Sequence, residues 1–184
     1  MGTVIVRAST TEDASALAEI YGHHVLNGFG TFEEVPPTAH DMASRRQAIV
    51  ERGLPYLVAE DEGRVLGFAY AGPFRPRAAY RYTVEDSVYI APDAVGRGVG
   101  KAVLGAVIAA CEDFGIRQVV AVIGDSENAG SIGLHASLGF EHAGVGKGFG
   151  WKKGRWVDIV WMRKALNGGD TSAPEAAGMI LGGA

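Results

Sequence analysis

Apolar and polar positions along the chain alternate in some stretches and recur every three to four residues in others. Residues 3–9, TVIVRAS, are rich in β-branched side chains and predict a strand. In residues 10–26 the positions Ala14, Leu17, Ala18, Tyr21 and Val25 share one helical face, with acids in the first turn. NGFGTFEEVPP (27–37) breaks the pattern with two glycines and a double proline. A second helix is predicted over 38–53, stopped by Gly53. YLVAE and VLGFAYAG read as strands joined by a hairpin at DEG (61–63), and YRYTVEDSVYIA (80–91) as a third. KAVLGAVIAACEDFG (101–115) is apolar on most sides and predicts a buried helix. QVVAVIG (118–124) is a continuous apolar strand of the central type. NAGSIGLHASLGF (128–140) predicts a helix capped by Asn128 and closed by Gly139. A turn at Lys153–Gly154 leads into the last strand, over 151–166. The tail, 167–184, is mostly Gly, Ala and polar residues and reads as low-complexity and mobile.

The order β, α, α, three strands, α, β, α, β, β predicts a mixed α/β sheet in one domain, residues 1–166. A length of 184 residues with 47% hydrophobic and 21% charged positions suits one globular core. No apolar run reaches the ~18 residues of a membrane span, and no basic-then-apolar leader is read at the start. Gly2 follows Met1, but Val6 stands where myristoylation wants Ser or Thr. The single cysteine, Cys111, allows no internal disulfide and fits a reducing, cytoplasmic compartment. A net charge of −4 without a basic run argues against a nucleic-acid or membrane partner. The five histidines form no spaced ligand set with cysteine or carboxylate, so no metal is expected.

Between the strand at 80–91 and the helix at 101–115 lie Gly96, Gly98 and Gly100. Strand, glycine loop and helix together frame a phosphate: the first N–H groups of the helix lack partners, and glycines let an anion approach. A Walker A loop is excluded, because Val95 holds its first glycine position and Ala102 its Ser/Thr position. A dinucleotide loop is excluded by spacing and by its mid-chain place. A pyrophosphate loop for coenzyme A remains, beside the plainer reading of a tight strand-to-helix turn.

VGRGVG (95–100) resembles the Gln/Arg-x-x-Gly-x-Gly/Ala loop of the GNAT family of N-acetyltransferases, with Val95 in place of Gln or Arg. NAGSIGLHASLGF resembles that family's later helix at Asn128, Leu134, Leu138, Gly139 and Phe140, but has Ser131 for Ala and His135 for Tyr. The likeness spans about residues 3–165. Within the family, YLVAEDEG, AYAGPFRPRAAYRYTVEDSVYI, VVAVIG and LHASLGF are most similar to phosphinothricin and methionine-sulfoximine acetyltransferases. The resemblance implies a single domain with a central mixed, mostly antiparallel sheet flanked by helices. It also implies acetyl-CoA as cosubstrate, a small amino-acid-like substrate acetylated on its α-amino group, and a homodimer.

On that resemblance the backbone of Val88, Tyr89 and Ile90 pairs with the pantetheine arm, and an N–H near Val88 or Tyr89 stabilises the oxyanion. Gly96, Arg97, Gly98, Val99, Gly100 and Lys101 hold the pyrophosphate, and Asn128 binds the arm, caps its helix, or does both. An α-amino group is mostly protonated at neutral pH, so a base is required. Glu85 is the first choice, and strand alternation sends its neighbour Asp86 to the other face. His135 either handles a proton near the sulfur or only packs between Leu134 and Leu138. Substrate contacts are expected from Glu85, Asp86 and Ser87. Arg75 and Arg77, held extended by Pro76, offer a bidentate cation for the carboxylate, with Arg81 in reserve. Phe29 and Thr31 wall the side-chain pocket, while Phe32 reads rather as core. An acetyltransferase for another amine, or a non-catalytic acetyl-CoA-binding module, is the alternative.

Overall fold

The computed structural model describes residues 3–181; Met1, Gly2 and the last three residues of the tail lie outside the described residues. β1 (Ile5–Ala8), α1 (Ala14–Asn27) and α2 (Ala39–Val50) come first, followed by β2 (Tyr56–Asp61), β3 (Arg64–Pro73) and β4 (Thr83–Ile90). Then come α3 (Val99–Phe114), β5 (Gln118–Gly124), α4 (Ala129–Ser137), β6 (Glu141–Lys152) and β7 (Arg155–Ala165). This is the element order that the apolar pattern predicts. Seven strands form one sheet in the order β1-β2-β3-β4-β5-β7-β6. Every pairing is antiparallel except β4 with β5.

That exception makes the cleft. β4 and β5 run parallel only from Thr83↔Gln118 to Asp86↔Ala121. Beyond Asp86 the strands splay into a V whose arms are Ser87–Ile90 and Val122–Gly124. Alternation along β4 then sorts its side chains. Tyr89 meets Tyr21 of α1 edge-on at 4.7 Å, whereas Asp86 meets His135 of α4. Thus α1 lies on one face of β4 and α4 on the other. Fully buried Leu17, Val25, Phe68, Val84, Val103, Leu104, Val107 and Val119 weld the helices to the sheet. Burying each such side chain contributes about 1.5–3 kcal/mol.

One strand starts earlier than its apolar pattern and one expectation, the mobile tail, is corrected. β6 extends back from residue 151 to Glu141, through a stretch with glycines at every second position from 144 to 150. Its partner β7 supplies the packing, across register shifts at His142/Gly144 and Gly146/Gly150. The segment after Leu166 is not loose through residue 181. Buried Arg117 donates from Nε to the Gly169 carbonyl at 2.7 Å and from Nη2 to the Ser172 carbonyl at 2.7 Å. Met179 is 3% exposed, and its N–H reaches the Arg81 carbonyl at 2.9 Å.

Candidate active site

The V opens into a cleft of about 760 Å³. Its walls are β4 from Asp86 to Ile90, β5 from Ala121 to Gly124, the loop before α3, and α4. The Ala91 N–H bonds Leu66 on β3 at 2.8 Å, so by antiparallel alternation the backbones of Tyr89 and Ser87 also face β3. Val88 and Ile90 point the other way, into the V. Tyr89 lines the cleft as expected, but its polar backbone belongs to the β3 ladder and its ring lies on the face of Glu85. The Ile90 carbonyl is already taken, since His24 of α1 donates to it from Nε2 at 2.8 Å. The groups left for a ligand lying along β4 are the Val88 N–H, the Val88 carbonyl and the Ile90 N–H.

The glycine loop closes the far end. Gly96 and Gly98 have φ of 79° and 80°, and a Cβ on either would meet nothing within 4 Å, so their backbone is bare toward the cleft. Gly98 is the N-cap of α3, whose first N–H groups and dipole face the same space. Gly100 has another reason: a Cβ there would lie 3.1 Å from Leu134 of α4, so it serves helix packing. Lys101 and Val99 line the cleft, as does Val95. Arg97 does not; its guanidinium turns to Asp61 at 3.4 Å. Asn128 caps α4, its Oδ1 accepting from the Ser131 N–H at 3.1 Å while Nδ2 donates to the Gly124 carbonyl at 3.3 Å.

On the other face of β4, Glu85, Ser87 and Tyr89 join Gly30, Thr31 and Phe32 around a pocket of about 190 Å³. The two spaces meet at Gly30, Ser87, Tyr89, Val122 and Gly124. Burial pushes the Glu85 carboxyl above its ordinary range; the Asp86 charge adds to the rise, and the Arg75 guanidinium opposes it. Arg75 is exposed and stacks over Phe74 at 5.1 Å. Arg77 instead caps the short turn 78–80, Pro76 is exposed beside it, and Arg81 stacks on Tyr82. Thr31 holds its expected place in the small pocket. Phe29 lies on the cofactor side instead, under the Arg155 guanidinium at 4.0 Å. Phe32, read as core, is 39% exposed and lines the small pocket.

Asp86 is neither a solvated acid nor part of the small pocket. It is 5% exposed, and its Oδ2 lies 3.0 Å from Nε2 of His135, itself 2% exposed. Both ring nitrogens of His135 are engaged, Nδ1 lying 2.8 Å from the Ser131 carbonyl. His135 is thus packed within α4 and, with Asp86, also lines the cleft.

Some site residues gave no sequence signal. Lys152 is 2% exposed and donates to the Thr31 carbonyl at 2.7 Å, pinning the loop that walls the small pocket. Tyr21 bonds Thr31 Oγ1 at 2.7 Å and donates to Glu33 at 2.9 Å, holding the same loop from α1. Arg155 pairs with Asp125 at the cleft mouth. Each depends on residues brought together from distant parts of the chain. Among the described residues no group of three His, Cys, Asp or Glu side chains stands together as a metal site.

Comparison with known proteins places this geometry. The model of the Acetyltransferase (GNAT) family matches residues 19–140. The chain is 54% identical over 170 residues to a phosphinothricin N-acetyltransferase of Alcaligenes faecalis, covering 92% of this chain and 86% of the relative. It is 39% identical over 166 residues to an L-methionine sulfoximine/L-methionine sulfone acetyltransferase of Pseudomonas aeruginosa, covering 88% and 94%. A solved structure of a GNAT superfamily phosphinothricin acetyltransferase from Sinorhizobium meliloti in complex with acetyl-CoA superposes with a TM-score of 0.91. It is 45% identical, and the match covers 96% of this chain and 95% of that one.

Proposed function

The chain belongs to the GNAT family of acetyltransferases, and from that premise we propose that it moves the acetyl group of acetyl-CoA to the α-amino group of a small amino-acid analogue. The named substrates of its relatives, phosphinothricin and methionine sulfoximine or sulfone, define the class. The observation that carries the reading is the V between β4 and β5 opening beside the small pocket of Glu85.

The cleft fits the cosubstrate. Bare backbone at Gly96 and Gly98 and the α3 N-terminus suit a pyrophosphate, with Lys101 as the nearby cation. The Val88 N–H and carbonyl and the Ile90 N–H suit an extended amide arm added as a strand. Acetyl-CoA brings an activated acyl group; the protein brings alignment and a base. Glu85, on the opposite face from the cofactor wall, takes the proton from the substrate ammonium. Its raised ionisation brings it closer to the amine's own range and improves it as a base near neutral pH. The Val88 N–H is the donor for developing negative charge on the carbonyl oxygen. No side chain is required to protonate the leaving sulfur, because a thiol ionises near about 8.5.

Arg75 reads the substrate carboxylate, supported by its electrostatic reach to Glu85. The test is a two-by-two comparison: phosphinothricin against its decarboxylated amine, on wild type and on Arg75→Ala. Wild type should prefer the amino acid by roughly 10- to 150-fold in kcat/KM, from a charge-assisted contact of about 1.5–3 kcal/mol, and the variant should lose that preference. An equal preference in both removes Arg75 from the site.

We further read the protein as a cytoplasmic homodimer. The lone, buried Cys111 suits the reducing compartment. An aromatic strip on β6 and β7, with Phe149 61%, Trp151 57% and Trp156 63% exposed, suits a second copy. Light scattering should give twice the chain mass, and a monomer at micromolar concentration would refute the dimer.

A further inference from the structure

α4 forms one wall of the cofactor cleft, yet His135 is its only fully buried residue. A histidine thus stands where a helix of this size would ordinarily bury an apolar anchor. Its protonation can be counted from its partners. The Ser131 carbonyl can only accept, so Nδ1, at 2.8 Å, carries a hydrogen. Nε2 lies 3.0 Å from Asp86 Oδ2, and a bond there needs one more proton, on the ring or on the carboxyl. In either form the pair is neutral overall. Without that proton a ring lone pair would face a buried carboxylate, whose Oδ1 already lacks any partner.

We propose that Asp86 and His135 are positioning residues: one proton shared between them ties α4 to β4 at the apex of the V, and the cofactor cleft keeps its binding shape only while the pair holds that proton.

The surroundings leave the pair to itself. α3 contributes only the buried Cys111 thiol, which burial pushes up to about 12 and which stays neutral. β5 and β3 contribute Ala121 and Ala71 at the positions opposite Asp86. Phe140 packs edge-on against the His135 ring at 4.9 Å. Glu85 sits on the other face of β4 and adds negative charge, which favours keeping the proton. For His135, burial alone would favour the neutral ring, but its bond and charge interaction with Asp86 outweigh it and hold the ionisation above the ordinary range. Burial also holds Asp86 above its range. Both directions describe one retained proton.

The sign follows from linkage. A histidine ionising above its unfolded value of about 6.5 contributes stability that is present below that pH and lost as pH rises through the folded value. Asp86→Asn reverses the sign. Its amide N–H donates permanently to neutral Nε2, so the tie survives at high pH and weakens below about 6.5, where the ring would have to charge.

The inference rests on the acetyl-CoA reading for its consequence, but not for its test on the free protein. Thermal melts of the apoprotein from pH 5.5 to 9.5 should fall on the alkaline side for wild type and on the acid side for Asp86→Asn, so the two curves diverge in opposite directions. Calorimetry with acetyl-CoA should show the wild-type Kd rising about tenfold or more from pH 6.5 to 9.5. Asp86→Asn should stay within about twofold, and Asp86→Leu should bind weakly throughout. Melting curves of the same sign in wild type and Asp86→Asn would overturn the shared proton. A parallel pH dependence of Kd in the two would overturn its hold on the cleft. Failure of acetyl-CoA to bind wild type at any pH would instead refute the functional reading, with the melts still deciding the proton.

Discussion

Gly124→Ala probes the joint between the two spaces of the site. Gly124 ends β5, and a Cβ built there lies 1.9 Å from the Phe29 carbonyl oxygen, 3.0 Å from its carbon and 3.3 Å from Gly30 Cα. Ordinary contact begins at 3.4 Å, so the loop must retreat by about 1.5 Å. It is not free to do so. Lys152 pins the Thr31 carbonyl at 2.7 Å, and Tyr21 pins the Thr31 hydroxyl at 2.7 Å. Gly124 does not have a positive φ, so alanine is tolerated by the backbone itself and the whole effect comes from the contact. Overpacking of this kind costs about 1–3 kcal/mol. For a chain of this length that is a Tm decrease of roughly 2–12 °C by differential scanning fluorimetry. Displacing Phe29 and Gly30 by more than an ångström also misplaces the amine beside Glu85, and kcat/KM should fall by roughly 10²-fold. A variant with Tm within a degree of wild type and kcat/KM within twofold would show that the loop does not set the amine's position.

Glu85→Gln keeps the shape of the side chain and removes the base, so kcat/KM at neutral pH should fall by roughly 10²-fold or more. Because burial raises the ionisation of Glu85, wild-type kcat/KM should decline as pH falls through that raised value; the Gln variant should lose this limb, and full activity from pH 6 to 9 would refute the assignment. Gly98→Asp puts a negative charge into open space at a φ of 80°, a conformation Asp tolerates better than most. Acetyl-CoA affinity by calorimetry should drop at least about tenfold below that of Gly98→Asn, which shares the backbone cost but not the charge. Equal affinities would remove the loop from the pyrophosphate site.

The fold was legible where packing and periodicity agree. The apolar stretch of β5 and the turn at Lys153–Gly154 announce themselves locally, and so does the Asn128 cap of α4. The extent of β6 was not legible, since its glycines carry no side-chain pattern and its length comes from pairing with β7. The order in the C-terminal segment was hidden too, because Arg117, which holds it, lies some 50 residues earlier. Within the site, strand alternation correctly separates Glu85 from Asp86, but it says nothing of what waits on each face. Only the folded chain sets His135 against Asp86, turns Arg97 away toward Asp61, and brings Lys152 beneath Thr31. Position in a motif fixes a backbone; the partners of a side chain are fixed by the tertiary structure.

The central claim is acetyl transfer to the amine of a small amino-acid analogue. It is tested most directly by incubating the purified protein with acetyl-CoA and phosphinothricin and following free thiol release alongside the mass of the amino acid. The account predicts stoichiometric thiol and a product heavier by one acetyl group on nitrogen, with methionine sulfone behaving likewise and Glu85→Gln nearly silent. Tight acetyl-CoA binding without any acetylated product from either substrate would contradict it and leave a binding module in the place of an enzyme.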